Sequence, residues 1–281
     1  MHLIEEKNVV YTGADNRESF YDITIPENWN RKLIVFVHGY MGFKDWGCWH
    51  LTGQFFVDNS YGFVKYNVSH NGGTTSNPID FPDTEAFSKN SYSKELEDFE
   101  RVIETLNSRI QSAEALEADD FEIYTIGHSR GGGIVALQSG HPKVAKWASW
   151  AGISSIEKRF PSGEALEKWK NETYRYVKNG RTKQDLPHHF DQYLDFEMNR
   201  DRLNIQLHCE QNEKPCLILH GRDDTSVLLL EGENLSNWTG TPLVIIDNAQ
   251  HTFNASHPWD EAKMPAELEE TCRQTLLFFE S

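Results

Sequence analysis

Short runs rich in β-branched and aromatic residues recur along the chain, each bounded by turn residues: Phe20 to Ile25, Leu33 to Val37, Phe63 to Val68, Phe121 to Ile126, Val144 to Trp150, Cys216 to Leu219 and Leu243 to Ile246. These read as strands. Most of the later ones are apolar throughout rather than at alternate positions, the pattern of parallel strands covered on both faces. Between them lie helical patterns. The clearest places Tyr92, Leu96, Phe99, Ile103, Leu106 and Ile110 at steps of three and four, so that one helix face is apolar. Another helix is expected to begin at Pro265, a residue suited to the first helical turn, and to turn Leu268, Cys272, Thr275, Leu276 and Phe279 inward. Strands alternating with helices over this length imply an α/β architecture, a mostly parallel sheet wound on both faces.

The rhythm breaks once. From Ile153 to about Ile205 no good strand stands out, while polar residues alternate with Phe160, Trp169, Tyr174, Tyr176, Phe190, Tyr193 and Phe196. Compact domains rarely carry a structureless loop of that length, so 153–205 is expected to be a helical insertion into one core formed by 1–152 and 206–281. A content of 38% apolar and 12% aromatic residues in 281 suffices for that core despite a mean hydropathy of −0.61.

A formal charge of −16 repels nucleic acid and anionic lipid surfaces at long range. No stretch approaches the roughly 18 uninterrupted apolar residues of a membrane span. Neither kind of partner is expected, and the sequence leaves oligomeric state open. Glu5, Glu6 and Lys7 stand where an export leader needs an apolar run. Cys48, Cys209, Cys216 and Cys272 are scattered without metal-type pairing. They fit reduced cytoplasmic thiols better than a disulfide framework, with a Cys209–Cys216 pair as the alternative left open.

The run Phe121 to Ile126 leads directly into Gly127-His128-Ser129-Arg130-Gly131, followed by Gly132, Gly133 and the helix-like Ile134 to Gln138. A serine on a sharp strand-to-helix turn needs neighbours without bulk two positions to either side, which Gly127 and Gly131 supply. A serine hydroxyl needs a base to take its proton, most often histidine. His251 is the candidate, because it follows the late strand Leu243 to Ile246 and the loop Asp247-Asn248-Ala249-Gln250. His128 is expected to point away from the serine, and His188 and His189 to serve the insertion's packing or a substrate. The base needs a carboxylate to fix its tautomer, and Asp223 and Asp224 both stand just past the strand Cys216 to Leu219. Backbone donors for a developing oxyanion are expected from Arg130, next after the serine, and from Tyr40 in the turn His38-Gly39-Tyr40-Met41-Gly42. His70-Asn71-Gly72-Gly73 reads either as part of the site's mouth or as a plain turn. No spacing suggests a metal site or a nucleotide loop, and the chemistry needs no cofactor.

His38 to Gly47, Gly127 to Gly132 and Gln250-His251-Thr252-Phe253 together resemble the α/β-hydrolase superfamily, near its dienelactone-hydrolase-like and small-ester esterase members. Ser129 stands where dienelactone hydrolases typically carry a cysteine nucleophile, so feruloyl and other carboxylesterases are the nearer comparison. The order serine, acid, histidine is the one this fold uses. The resemblance also selects Asp224 over Asp223, placing the acid three residues after Gly221 and three before an apolar residue, Val227.

What it implies is a Ser129–His251–Asp224 triad that cleaves a small-molecule carboxylic ester, under a cap formed by 153–205. Trp169, Tyr174, Tyr176, Phe190, Tyr193 and Phe196 are then expected to supply the substrate pocket. Thioesters and peptides pass through similar intermediates, and a binding protein that keeps the fold with little turnover is the rival from another class. Between Ile153 and Lys183 the cap carries Lys158, Arg159, Lys168, Lys170, Arg175, Lys178, Arg181 and Lys183 against Glu157, Glu164, Glu167 and Glu172. That excess is open to two readings, attraction for a carboxylate- or phenolate-bearing substrate or an ordinary solvated helix face.

Overall fold

Consecutive residues of the strand Lys32–Val37 are all apolar after the first because both of its faces are covered. Leu33, Val35 and Val37 enter one core cluster, and Ile34 and Phe36 enter a second on the opposite side of the sheet. This emerges from a computed structural model that describes residues 2–113 and 120–281. Met1, at the head of the leading segment read above, lies outside them.

In chain order the elements are β1 (His2–Thr12), β2 (Glu18–Pro26), β3 (Lys32–Val37), α1 (Trp49–Asp58), β4 (Gly62–Tyr66), α2 (Thr84–Ser88), α3 (Tyr92–Ser112), β5 (Glu122–His128), α4 (Arg130–Leu137) and β6 (Val144–Trp150). The segment after β6 supplies α5 (Glu164–Glu172), β7 (Tyr174–Lys178), β8 (Asp185–His189), α6 (Asp191–Met198) and α7 (Ile205–Glu210). The chain then closes with β9 (Cys216–Gly221), α8 (Leu229–Thr239), β10 (Leu243–Ile246) and α9 (Ala266–Glu280).

The main sheet has eight strands in the order β1-β2-β4-β3-β5-β6-β9-β10. From β4 to β10 every pairing is parallel, whereas β2 runs antiparallel to both β1 and β4. Residues of α3, α4 and α7 pack with one face of the sheet, and those of α1 and α9 with the other. The α3 stripe expected from its spacing is buried, from Tyr92 through Ile110. Pro265 sits one position before the helix it was expected to begin, as the N-cap of α9. All four cysteines are buried and free. No helix among the described residues is long and apolar enough to cross a membrane.

The segment between β6 and β9 is not purely helical. Its β7 and β8 pair antiparallel as a separate two-stranded ribbon, from Tyr174↔His189 to Lys178↔Asp185. The ribbon escaped the sequence pattern because its strands are short and half exposed, so polar and charged residues interrupt any apolar run.

Candidate active site

The turn between β5 and α4 holds Ser129 at φ 59° and ψ −117°, a left-handed conformation that costs on the order of 1–3 kcal/mol outside glycine. Surrounding backbone enforces it. A Cβ on Gly127 would collide with the backbone of Gly131, and one on Gly131 with the carbonyls of Val37 and His38. Only hydrogen fits at either place, so the turn is clamped between its own helix and the end of β3.

Ser129 Oγ lies 2.9 Å from His251 Nε2, and His251 Nδ1 lies 2.7 Å from Asp224 Oδ2. Asp224 follows β9 and His251 follows β10, so parallel neighbours deliver both side chains to one edge of the sheet. The other oxygen of Asp224 accepts the amides of Ser226 (2.8 Å) and Val227 (2.9 Å). Burial alone would raise this carboxyl, but hydrogen bonds from His220, His251 and the Val227 amide hold it well below the usual carboxylate range. It is therefore ionised, and the carboxylate favours a proton on the facing Nδ1 of His251. Asp223 is exposed, and its amide donates to the carbonyl of Ala249.

Two neighbours of this chain of bonds were not legible beforehand. His128 is turned from the serine hydroxyl, as expected, but its Nε2–H donates to the carbonyl of His251 (2.9 Å), bracing the loop that carries the imidazole. His220 Nε2 donates to Val227 O (2.8 Å) and lies 3.3 Å from Asp224. The first contact joins residues from two different strand ends, and no local spacing encodes it; the second is made within the end of β9 and the turn that follows it.

Arg130 opens α4, so its amide has no carbonyl acceptor within the helix. The turn after β3 packs directly on the serine: a Cβ on Gly39 would lie 2.9 Å from Ser129 Cβ. Tyr40 is next in that turn. Its hydroxyl lies 2.8 Å from His188 Nε2, while His188 Nδ1 lies 2.9 Å from Gln192 Oε1. Since a carbonyl oxygen only accepts, Nδ1 carries the proton and Nε2 accepts from the tyrosine. The Arg130 guanidinium sits over the rings of Tyr40 and Tyr92 and pairs with Glu95 at 2.8 Å.

Two cavities meet at Ser129 and His251. One, of about 430 Å³, is lined by Trp46, Trp49, Met41, Arg181 and His257 among others. The second, of about 440 Å³, is lined by Tyr92, Arg130, Arg159, Phe160, Arg175 and His188 among others. Tyr40 belongs to both. The ribbon roofs them: alternate residues Arg175 and Val177 of β7 face the second cavity, whereas Asn179 and Arg181, just past β7, reach the first.

None of the six aromatic residues expected to line the pocket lies in either wall. Trp169, Phe190, Tyr193 and Phe196 pack on one another and on Phe160, with ring centroids 5.3 to 6.4 Å apart. Trp169 also donates its indole N–H to the carbonyl of His188. Tyr174 packs on His189, and Tyr176 is 65% exposed. The reason is energetic: the segment between β6 and β9 buries its largest rings against one another to hold its own shape, and of that cluster only Phe160 also reaches a cavity wall, beside the cationic Arg159 and Arg175. His70 to Gly73 is likewise absent from both walls. His70 is buried against Ser69, and Asn71 accepts the Gly73 amide within the turn.

The buried histidines give the fold a defined acid response. Burial lowers His128 to about 3 and both His70 and His188 to about 4, against a usual 6.5, and lowers His38 as well. Between pH 4 and 6.5 the unfolded chain therefore binds protons on these rings that the folded chain does not, so stability rises with pH there and is lost on acidification. Asp98, which burial pushes up to about 7, acts with the opposite sign because the folded state holds its proton. Of the three histidines His128, His70 and His188, Asp98 offsets one, and the remaining two give a slope of about 3 kcal/mol per pH unit near pH 5. Urea unfolding at stepped pH measures it, and a flat profile from pH 6.5 to 4 contradicts the burial of these rings.

No protein-family model matches the chain, and no curated protein matches it. Solved structures do. Est1E from Butyrivibrio proteoclasticus, in a structure with ferulic acid bound, is 18% identical with a TM-score of 0.69, over 96% of this chain and 98% of that one. A putative hydrolase from Agrobacterium vitis S4 is 14% identical with a TM-score of 0.70, over 98% and 99%. The Pyrococcus furiosus esterase Pf2001 is 14% identical with a TM-score of 0.62, over 99% and 92%. The fold is that of the α/β-hydrolases, in company with esterases and hydrolases.

Proposed function

We propose that the chain is a serine hydrolase that cleaves a small-molecule carboxylic ester through an acyl-enzyme. The observation that carries this reading is the unbroken contact from Ser129 Oγ through His251 to an ionised Asp224, at the junction of two cavities. Ser129 Oγ attacks the ester carbonyl while His251 Nε2 takes its proton, and Asp224 holds the opposite Nδ1–H and stabilises the imidazolium. The carbonyl oxygen becomes an oxyanion facing the amides of Tyr40 and Arg130, where the positive end of α4 adds to the stabilisation. Collapse expels the alcohol, which takes the proton from His251. Water, deprotonated by the same imidazole, then attacks the acyl carbon and releases the acid.

The cavity walled by Trp46, Trp49 and His257 suits an apolar or aromatic part of the substrate, in keeping with a neighbour that binds ferulic acid. Residues 153–205 act as a cap unit on a core formed by 1–152 and 206–281. The four free cysteines support a cytoplasmic location.

The test is covalent labelling by a fluorophosphonate, together with turnover of simple aryl esters. Wild-type protein is expected to label at Ser129 and hydrolyse the esters, and Ser129→Ala to do neither. An unlabelled, inactive but folded wild-type protein contradicts the reading, as does hydrolysis that persists in Ser129→Ala.

A further inference from the structure

The second cavity is positively charged in a chain whose formal charge is −16. Its wall includes the guanidinium groups of Arg130, Arg159 and Arg175 and no aspartate or glutamate. Two of the three are neutralised from behind: Arg130 pairs with Glu95, and Arg159 pairs with Glu231. Arg175 differs. Among the described residues its guanidinium has no carboxylate partner, its Nε is buried without a hydrogen bond, and it lies over the face of the Trp169 ring, 4.6 Å from the centroid.

An unpaired guanidinium held in a half-buried wall is costly unless something completes it. Burial, and then the neighbouring Arg130 cation, act to lower its pKa, as expected for a cation short of an anion. Its position is also fixed. Arg175 is in register with His188 across the ribbon, and Trp169 both stacks on the guanidinium and donates to the carbonyl of His188. Arg181, near the other cavity, offers no such vacancy because it pairs with Asp80.

Resting on the serine-hydrolase reading above, we infer that the preferred substrate is an ester bearing a free carboxylate, which enters the second cavity and pairs with Arg175 while the ester carbonyl sits at Ser129. A carboxylate matches the planar fork of a guanidinium with two parallel hydrogen bonds. Arg159 and Arg130 add to the local potential without being free to pair.

The experiment compares kcat/KM within matched pairs. Aryl monoesters of dicarboxylic acids are set against aryl esters of monocarboxylic acids of the same length, and acetylated 4-hydroxybenzoate against phenyl acetate, so that the charge falls on the acyl or the alcohol side. Wild-type protein is expected to favour the anionic member of at least one pair by about ten- to a hundredfold. Arg175→Met should lower that ratio by about the same factor, and Arg175→Glu should invert it. Anionic and neutral esters cleaved equally well by wild type overturn the inference while leaving the hydrolase reading intact. A preference that survives both substitutions overturns it as well.

Should neither ester class be cleaved and Ser129 not label, the hydrolase reading fails first. Calorimetric titration with glutarate then decides the anion site without turnover. Binding by wild type that Arg175→Met loses upholds it, and absence of binding by wild type removes it.

Discussion

Replacing Asp224 by asparagine is expected to lower kcat on an aryl ester by about three to four orders of magnitude, while the same change at the adjacent Asp223 costs far less. The geometry separates two residues of identical chemistry. Asp224 is 5% exposed, accepts two backbone amides and faces His251 Nδ1 at 2.7 Å. Asp223 turns to solvent and contributes a main-chain bond to Ala249, which asparagine keeps.

Asparagine at 224 can still accept the amides of Ser226 and Val227 through its carbonyl oxygen, so the turn is retained. Its NH2 then faces His251 Nδ1 and favours the tautomer with the proton on Nε2, where the ring can no longer accept from Ser129. The loss therefore belongs in kcat, with the fold unchanged by circular dichroism. A crippled Asp223→Asn beside a near-normal Asp224→Asn reverses the assignment.

The sequence carried the sheet and the site unequally, for a physical reason in each case. Parallel strands buried on both faces announce themselves as continuous apolar runs, and the interior strands β3, β4, β5, β6 and β9 were legible in this way; β10, at the sheet's edge, carries an apolar run as well. The edge strand β1 is mostly exposed and polar, with register shifts against β2, so no period marks it. Gly127 is required by the backbone of Gly131 only four residues on, and such local sterics survive in sequence spacing, whereas Gly131 is required by the distant end of β3. The cavity walls do not. Arg175 and Tyr176 are neighbours in one strand, yet the first faces the site and the second solvent, a difference set by how the ribbon lies over the core. The rings of the cap looked like a pocket because large apolar area serves binding and packing equally well, and composition cannot tell them apart.

The same limit hid a buried lattice of charge where β2 and β4 meet the turn after β3, and the largest change in stability is expected there. Asp22 on β2 and Lys65 on β4 are register partners, with Lys65 Nζ 2.6 Å from Asp22 Oδ2. Lys44 lies 2.7 Å from the other oxygen of Asp22 and 2.6 Å from Asp45, and Asp45 closes the ring on Lys65. Lys44 is 1% exposed, Asp22 6% and Lys65 9%, so these charges depend on one another rather than on water.

Two cations alternate with two anions, and the ring is neutral as a whole. Asp22→Asn removes one anion and leaves two buried ammonium groups to share Asp45, an imbalance worth about 3–5 kcal/mol. The paired change Lys44→Met with Asp22→Leu removes one charge of each sign, leaves Lys65 with Asp45, and replaces buried charge by apolar volume. It is expected to cost less than Asp22→Asn alone, although it alters twice as many residues. Urea unfolding midpoints for wild type, Asp22→Asn and the double variant measure the ordering. A double variant less stable than the single one removes charge balance as the cause and leaves packing or hydrogen bonding in its place.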